Sequence, residues 1–313
     1  MDAYLALGYK CNHSCKCCPL TTYDRLHAAF TKEELQNNID NILIHKETDS
    51  HINITVSGGE PFLNENVFLV LSKLLADNVR VTVLTNATCL SLLDYQKQLK
   101  SLIKQHKNKY FRIVTAIHSS NNEKHDYLTG CEGSFWESIK GLEFASSLPI
   151  SVTVKIIINK LNYTDLENTV AYIDEHFPMN VDIQFCGMDY SGRAEKNVDE
   201  LFVSFEDIQP YFEKAIDYIV DLNSKREPQR KISVMELPLC LCDPYYWSGF
   251  LVPPKQSTFY LAPNADTKDR TVYADAQCGA FYDECKNCKV NHLCYGTWKS
   301  TYRIKKDLLR TIK

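Results

Sequence analysis

Residues 52–61, INITVSGGEP, contain a short, mainly apolar run that is followed by a pair of glycines. The run 52–56 has the composition of a strand, and the turn 57–61 follows it directly. Paired glycines permit positive φ and let the backbone approach a ligand closely. Glu60 behind them is a carboxylate that suits a charged amine. This stretch therefore predicts one unit of a strand–helix repeat whose loop carries a binding function.

The same alternation of a short apolar run and a longer amphipathic stretch recurs along the chain. Strands are predicted near 3–7, 52–56, 79–85, 111–117, 150–158 and 181–188, and helices near 32–46, 65–77, 90–106, 134–146, 164–176 and 204–224. Six such units predict an α/β fold, a partial (β/α)6 TIM-like barrel. Because the loops after parallel strands open on one edge, residues at the strand ends are expected to converge on one site.

The alternation of predicted strands and helices ends at the polar segment KREPQRK, residues 225–231. Several prolines follow this segment. We therefore predict two domains. The first is a core over residues 1–229, and the second is a small C-terminal domain over residues 230–313.

Composition excludes several classes of protein. The 313 residues contain 35 Lys and Arg against 39 Asp and Glu, a net charge of -4, which argues against nucleic-acid and membrane partners. The N-terminus has neither a basic region nor a long apolar run, so we expect a cytoplasmic protein. In that reducing compartment, thirteen cysteines indicate metal binding or catalysis rather than disulfides.

Three cysteines stand in a C-x3-C-x2-C arrangement on the loop after the first predicted strand, namely Cys11, Cys15 and Cys18. Three thiolates can hold three irons of a 4Fe-4S cluster and leave the fourth iron without a protein ligand. A zinc site is the alternative, with His13 or Cys17 as its fourth ligand.

Together with SGGEP, this cysteine loop resembles the radical S-adenosylmethionine (radical SAM) enzymes. The resemblance extends to the pair Thr85-Asn86, to HSSNNEKHDYLTGCEGSF (118–135) and to Gly192-Arg193-Ala194. It implies that Cys11, Cys15 and Cys18 ligate the cluster and that Gly58, Gly59 and Glu60 hold the methionyl amino group. It also assigns Asn86, Ser119 and Arg193 to cofactor binding. In such enzymes S-adenosylmethionine is cleaved to methionine and a 5'-deoxyadenosyl radical that abstracts hydrogen from the substrate.

One position of the loop departs from the family pattern. Family members commonly carry an aromatic residue just before the last cysteine, and this chain has Cys17 there. The register Cys11, Cys15 and Cys17 is therefore an alternative ligand set, although it breaks the family spacing.

The C-terminal stretch CKNCKVNHLCYGTW contains a C-x2-C-x5-C arrangement. It is similar to the SPASM and twitch extensions of the family, which hold auxiliary 4Fe-4S clusters. Because no further cysteine follows Cys294, we expect one auxiliary cluster in the C-terminal domain. Its predicted ligands are Cys278, Cys285, Cys288 and Cys294. Cys240 and Cys242 are alternatives to this set, and a structural zinc site is the alternative use of it.

The remaining candidates concern catalysis. No general acid or base can be assigned, and the candidates are Asp243 and Cys242. Asp243 directly follows Cys242, where it would serve as a base near an auxiliary cluster; the alternative is a cap, the usual role of an aspartate in a turn rich in proline and tyrosine. For His118 and His125 we expect a surface or hydrogen-bonding role rather than a role as ligands.

The resemblance implies an enzyme that modifies a ribosomally synthesised peptide or protein by oxidative side-chain or crosslink chemistry. Its expected partners are that peptide and a reductant such as flavodoxin or ferredoxin. Because Cys11 lies so near the start, leader recognition is expected from the C-terminal domain or from a separate leader-binding protein. The alternatives are a small-molecule radical SAM dehydrogenase and, in a different class, a non-catalytic zinc-binding module.

Overall fold

The computed structural model describes residues 2–20, 29–47, 52–106, 110–250, 257–261, 271–273, 283–294, 296–305 and 312. Its strands are β1 (Asp2–Ala6), β2 (Asn53–Ser57), β3 (Arg80–Thr85), β4 (Phe111–Ala116), β5 (Ser151–Ile157), β6 (Val181–Cys186), β7 (Ile232–Met235), β8 (Ser257–Leu261) and β9 (Thr271–Tyr273). Its α-helices are α1 (Lys32–Leu43), α2 (Val67–Ala76), α3 (Leu93–His106), α4 (Asn122–Thr129), α5 (Ser134–Ser146), α6 (Leu166–His176), α7 (Arg193–Lys196), α8 (Val198–Leu201), α9 (Phe205–Asn223) and α10 (Lys299–Ile304).

These strands form one sheet in the order β7-β6-β5-β4-β3-β2-β1-β8-β9. All neighbours from β7 to β8 are parallel, and only β9 runs antiparallel to its neighbour. At least one helix follows each of the first six strands, so the predicted α/β architecture of six strand–helix units is confirmed. The carboxyl ends of β1 to β7 all lie at one edge of the sheet.

The sequence accounts for the local structure of these units. Helix α1 begins at a capping box in which Thr31 and Glu34 accept each other's backbone N–H, and its buried face contains Leu35, Ile39 and Ile42. The central strand β5 is largely buried along its length, as is usual for a parallel strand inside an α/β fold. Strand and helix side chains meet in one continuous core.

The sheet continues beyond residue 229. Strand β7 pairs with β6, and β8 pairs with β1 at the other side of the sheet. The predicted domain boundary therefore falls between two elements of the same sheet, β6 and β7, and the two-domain division stays a prediction.

Helix α10, the last among the described residues, packs where β6 ends. The Ser300 hydroxyl donates to Asp189 at 2.7 Å, and the Thr301 hydroxyl donates to the Met188 carbonyl at 3.1 Å. These bonds bring the segment that follows the C-terminal cysteines to the edge of the sheet where the strand ends converge. Among the described residues, no helix is both long enough and apolar enough to cross a membrane.

Candidate functional site

A cavity of about 240 Å³ opens at the carboxyl ends of β1 to β5. Its lining unites the sequence motifs that were predicted to act together. The described lining residues are Cys11, His13, Cys15, Cys17, Cys18, Pro19, Leu20, Ser57, Gly58, Gly59, Glu60, Leu84, Thr85, Asn86, Val114, Thr115, Ala116, His118, Lys155 and Ile157. The three predicted cluster ligands therefore face the same space as the glycine turn.

The glycine turn is paired with the backbone just before Cys11. The Gly59 N–H donates to the Gly8 carbonyl and the Glu60 N–H donates to the Lys10 carbonyl, each at 2.8 Å. Gly58 has φ +128°, and a Cβ there would lie 2.1 Å from the Gly8 oxygen. A Cβ on Gly59 would lie 2.2 Å from the Lys10 oxygen. Because only glycine allows this approach, the turn sets the position of the cysteine loop.

The rest of the cysteine loop is held by α4 and α7. The Ser14 N–H donates to the Thr129 carbonyl and the Lys16 N–H donates to the Leu128 carbonyl, each at 2.8 Å. The Cys18 carbonyl accepts the backbone N–H groups of Arg193 and Ala194 at 3.0 and 3.2 Å. Arg193 therefore contacts the loop through its backbone, but it is not among the described lining residues of the cavity.

Glu60 is 3% exposed, and its carboxylate joins two strand ends. Oε1 accepts the Phe62 N–H at 3.0 Å and the Thr85 hydroxyl at 2.7 Å, and Oε2 accepts the Asn86 N–H at 2.7 Å. Burial raises the pKa of Glu60 to about 7, although all three hydrogen bonds favour the ionised form. A cationic group in the cavity would oppose this effect of burial and stabilise the carboxylate.

Asn86 and Ser119, both predicted to bind cofactor, lie in different surroundings. Asn86 lines the cavity, and its side-chain amide donates to the Asn12 side chain at 2.7 Å. Ser119 is fully buried and does not belong to the described lining. Its hydroxyl donates to Asp165 at 2.7 Å and accepts the Asn121 N–H at 3.1 Å. The hydroxyl of Ser119 therefore orders the loop after β4.

Cys17 faces the cavity beside His118. Its sulfur lies 3.8 Å from His118 Nε2, and both residues are buried. The pKa of His118 is lowered to about 4 because burial disfavours the charged imidazole and His13 repels it. The expected hydrogen-bonding role of His118 agrees with this contact. Its place in the wall of the cavity was not predicted, since a histidine after a strand has no spacing signal of its own.

Lys155 is a lining residue that sequence reasoning missed. It interrupts the apolar run of β5, which was the available signal. Burial lowers its pKa, but the neighbouring Cys186 and Glu236 outweigh that effect and raise it above the usual range. Lys155 is therefore a charged group in the wall of the cavity.

One contact in the cysteine loop suits a metal-bound thiolate. The His13 backbone N–H donates to the Cys11 sulfur at 3.4 Å, and such a contact stabilises a thiolate ligand. Within the described ranges, no three or more Cys, His, Asp or Glu side chains are placed to hold one metal ion.

The C-terminal cysteines lie close to the loop after β7. The Cys294 sulfur accepts the backbone N–H groups of Leu239 and Gly296, each at 3.3 Å. Burial raises the pKa of Cys294, and these two hydrogen bonds oppose that effect. Successive turns connect Cys285, Cys288 and Cys294, and Cys285 is buried against the core. The predicted ligand Cys278 lies outside the described residues.

Asp243 and Cys242, the two catalytic candidates, lie apart from the cavity lining. The Asp243 side chain is exposed and accepts the Tyr245 N–H at 2.9 Å, as the cap of a short 3-10 helix. Cys242 is buried, and burial with the nearby charge of Glu213 raises its pKa to about 12. Neither residue belongs to the described lining of the cavity.

Comparison with protein families gives a match to the radical SAM superfamily over residues 5–173. Two curated relatives are the antilisterial bacteriocin subtilosin biosynthesis protein AlbA of Bacillus subtilis and a probable GTP 3',8-cyclase of Pyrobaculum aerophilum. AlbA is 24% identical over 168 residues, which cover 54% of this chain and 35% of AlbA. The cyclase is 22% identical over 198 residues, which cover 63% of this chain and 60% of the cyclase. The matches thus span about a third and three fifths of these relatives.

Solved structures share the fold of the chain. SuiB of Streptococcus suis, bound to its precursor peptide SuiA, has a TM-score of 0.66 at 14% identity, covering 100% of this chain and 74% of SuiB. The protein anSMEcpe, bound to AdoMet and the Kp18Cys peptide, has a TM-score of 0.64 at 16% identity, covering 100% of this chain and 93% of anSMEcpe.

Proposed function

The chain belongs to the radical SAM superfamily, and we propose that it cleaves S-adenosylmethionine reductively to modify a ribosomally synthesised peptide or protein. One observation carries the proposal. Cys11, Cys15 and Cys18 line the same cavity as the turn formed by Gly58, Gly59 and Glu60. The soft thiolates of the loop suit iron, and the turn beside them suits the amino acid part of S-adenosylmethionine.

In this proposal Cys11, Cys15 and Cys18 hold a 4Fe-4S cluster and leave one iron open. When bound, the cluster supplies the electron for the reductive cleavage of the sulfonium. The protein positions the cysteine loop from both sides, through the glycine turn and through α7. Cys17 is held as a neighbour of His118 and is not a ligand in this scheme.

Glu60 is the proposed acceptor for the methionyl ammonium. Its Oε2 atom accepts a hydrogen bond from Asn86 and has a second lone pair for another donor. Oε1 already accepts two hydrogen bonds, so it fixes the orientation of the carboxylate. Asn86 completes this side of the cavity, while the roles proposed for Ser119 and Arg193 are indirect, through the loops that they order.

We further propose one auxiliary 4Fe-4S cluster on the C-terminal cysteines, with Cys285, Cys288 and Cys294 as ligands and Cys278 as the fourth. Its support is the pair of backbone N–H groups directed at the Cys294 sulfur. Such bonds stabilise a metal-bound thiolate. An electron acceptor near the strand ends would allow net oxidation of the substrate.

A peptide is the proposed substrate because AlbA takes part in bacteriocin biosynthesis and SuiB binds a precursor peptide. A reductant such as flavodoxin or ferredoxin and a leader-binding protein are the proposed partners. The cytoplasm is the proposed location because thiolate ligands stay reduced there. A small-molecule substrate is the second candidate, and the name of the Pyrobaculum relative supports it.

The test is anaerobic purification followed by addition of S-adenosylmethionine and dithionite. We expect release of 5'-deoxyadenosine, which Cys18→Ala abolishes and Cys131→Ala retains, since Cys131 is a half-buried loop residue away from the cavity lining. A protein that holds zinc and releases no 5'-deoxyadenosine would instead be the non-catalytic zinc-binding module. With candidate peptides, a mass change that requires S-adenosylmethionine tests the substrate class.

A further inference from the structure

One face of helix α3 carries lysines that are exposed to solvent. Four exposed side chains recur at i, i+4, i+7 and i+11 and therefore share that face, namely Leu93, Lys97, Lys100 and Lys104. We call these four residues the α3 stripe. The opposite face of the helix, with Leu99 and Leu102, is buried. The lysines of the stripe therefore lie on the side of α3 that points away from the core.

The α3 stripe has an excess of positive charge. Asp94 is the single exposed carboxylate of the helix, and its Oδ1 atom lies 3.9 Å from Lys97 Nζ, a weak contact between two exposed groups. Lys100 Nζ lies 5.3 Å from the centre of the Phe144 ring on α5. The exposed charges of α5 have both signs, namely Glu137, Lys140 and Glu143. On a chain of net charge -4, the stripe is a local positive surface, and such a surface attracts an acidic partner.

Two leucines at the start of α3 add apolar surface to the stripe. Leu92 is 55% exposed and Leu93 is 70% exposed. Protein interfaces commonly combine an apolar centre with a polar rim. The two leucines and the lysines that follow them along α3 provide both kinds of surface next to each other.

The loop after β3 connects this surface to the cysteine loop. The Gln96 side-chain amide donates to the Leu90 carbonyl at 2.9 Å, which fixes the first turn of α3 on that loop. In the same loop, the Thr88 hydroxyl accepts the Asn12 side-chain amide at 2.7 Å. Asn12 directly follows Cys11, a proposed cluster ligand. A short run of bonded residues therefore joins the start of α3 to the cysteine loop.

Buried side chains continue the same connection. Cys89 lies in the loop after β3, and Tyr95 of α3 hydrogen-bonds to it. The pKa of Cys89 is raised to about 12 by burial and by the negative charges of Glu60 and Cys11. The effect of Cys11 on this pKa shows that the two sulfurs lie within electrostatic reach of each other. Packed protein, rather than open solvent, therefore lies between the start of α3 and Cys11.

We propose that the α3 stripe, together with Leu92, is the docking surface for the electron donor, a small acidic protein that carries one electron. The inference rests on the proposed function, in which the cluster on the cysteine loop receives that electron. The carrier is oxidised by one electron and the cluster is reduced by one, so the transfer balances without a proton. Contacts between redox partners are small and transient, which suits one face of a helix.

Calorimetric titration of the anaerobically purified protein with a flavodoxin and with a ferredoxin tests the surface. We expect the charge-reversal variant to bind the carrier at least about tenfold more weakly at about 50 mM salt, and the difference to shrink at about 300 mM salt. This variant is Lys97→Glu/Lys100→Glu/Lys104→Glu. Replacement of the same lysines by glutamine should give a smaller loss of affinity in the same direction, with an unchanged melting temperature. Leu93→Gln should weaken binding several-fold at both salt concentrations.

A matched control separates the surface from the net charge of the protein. Lys32→Glu/Lys214→Glu/Lys225→Glu makes the same change in net charge at exposed positions on α1, on α9 and just after α9. It should bind the carrier within about threefold of wild type, because charges at a distance are screened. Equal loss of affinity in the control and in the α3 variant would overturn the docking surface, and so would a failure of wild type to bind either carrier.

Release of 5'-deoxyadenosine distinguishes this inference from the proposed function. With the carrier as reductant, the α3 variant should release 5'-deoxyadenosine more slowly than wild type; with dithionite, which needs no docking surface, the two should be equal. If wild type releases none with dithionite, the proposed function fails, and the titration still decides whether the stripe binds the carrier.

Lysines and leucines on a helix face would also suit an anionic membrane, and the connection to Asn12 is what favours a redox partner. Vesicles of phosphatidylcholine and phosphatidylglycerol in equal parts test that alternative by cosedimentation. We expect no binding of wild type to them. Vesicle binding that the α3 variant loses, with its affinity for the carrier unchanged, would assign the stripe to a membrane and overturn the proposal.

Discussion

The carboxylate of Glu60 accepts the backbone N–H of Asn86 at 2.7 Å and so ties the end of β2 to the end of β3. Its other oxygen accepts the Phe62 N–H and the Thr85 hydroxyl, so one buried side chain orders two loops of the cavity. The glycine turn, which carries Glu60, is paired in turn with the backbone before Cys11. The binding turn and the cysteine loop are therefore parts of one hydrogen-bonded structure.

Replacement of Glu60 by glutamine should affect both folding and binding. The amide places an NH2 group against backbone donors, so we expect a loss of about 1–3 kcal/mol in the free energy of unfolding. Binding of S-adenosylmethionine should weaken as well. Urea denaturation and calorimetry measure the two effects. Glu65→Gln is the control because Glu65 is exposed. Equal stability of the Glu60 and Glu65 variants would contradict the linking role of Glu60.

Alanine at Gly58 tests the close approach of the turn to β1. The added Cβ would overlap the Gly8 oxygen at a positive φ, so we expect a loss of at least about 3 kcal/mol in the free energy of unfolding. Gly133 also has a positive φ, but a Cβ there would meet nothing within 4 Å. Gly133→Ala should therefore cost only about 1 kcal/mol. Similar melting temperatures for the two variants would show that steric contact with Gly8 is unimportant.

His118 predicts a pH dependence of stability for the apoprotein. Its folded pKa of about 4 lies below the unfolded value of 6.5, so the unfolded chain binds the proton more readily. This contribution to stability is present above pH 6.5 and is lost as the pH falls towards 4, by about 1.4 kcal/mol per unit. The free energy of unfolding, measured by urea denaturation across this pH range, should change less with pH for His118→Gln than for wild type. His176→Gln, at an exposed position, should match wild type; parallel curves for all three would refute the assignment.

Iron content should distinguish variants of the N-terminal cysteine loop from variants of the C-terminal cysteines. Two clusters correspond to about eight irons, so Cys18→Ala and Cys285→Ala should each retain about four. Cys17→Ala should retain about eight, because Cys17 contacts His118 in our scheme rather than iron. Iron and sulfide analysis of anaerobically purified variants measures this. A loss of four irons in Cys17→Ala together with full occupancy in Cys18→Ala would favour the alternative ligand register.

The sequence was sufficient for the architecture because period and turn chemistry are local. The six predicted strands overlap β1 to β6, and the predicted helix near 204–224 overlaps α9, which begins at a Ser204 cap. Strands β7 and β8 were missed. Each is four or five residues long and pairs with a strand that is distant in sequence, and such pairing leaves no local pattern.

The functional site, like the fold, could be predicted from the sequence only in part. Cysteine spacing and the glycine turn predicted residues that do line one cavity, since both motifs follow strands directly. The burial of Ser119 against Asp165 and the backbone role of Arg193 depend on how loops pack, which spacing does not encode. Lys155 was missed because a single lysine in a strand usually faces solvent.

The open iron on the cysteine loop is the central claim, and electron paramagnetic resonance tests it most directly. The variant Cys285→Ala/Cys288→Ala, reduced with dithionite, should hold the first cluster alone. Addition of S-adenosylmethionine should then change the shape and g values of its signal, because in the proposed scheme the amino acid part of S-adenosylmethionine would bind the iron that lacks a cysteine. A spectrum that stays the same at saturating S-adenosylmethionine would contradict the claim.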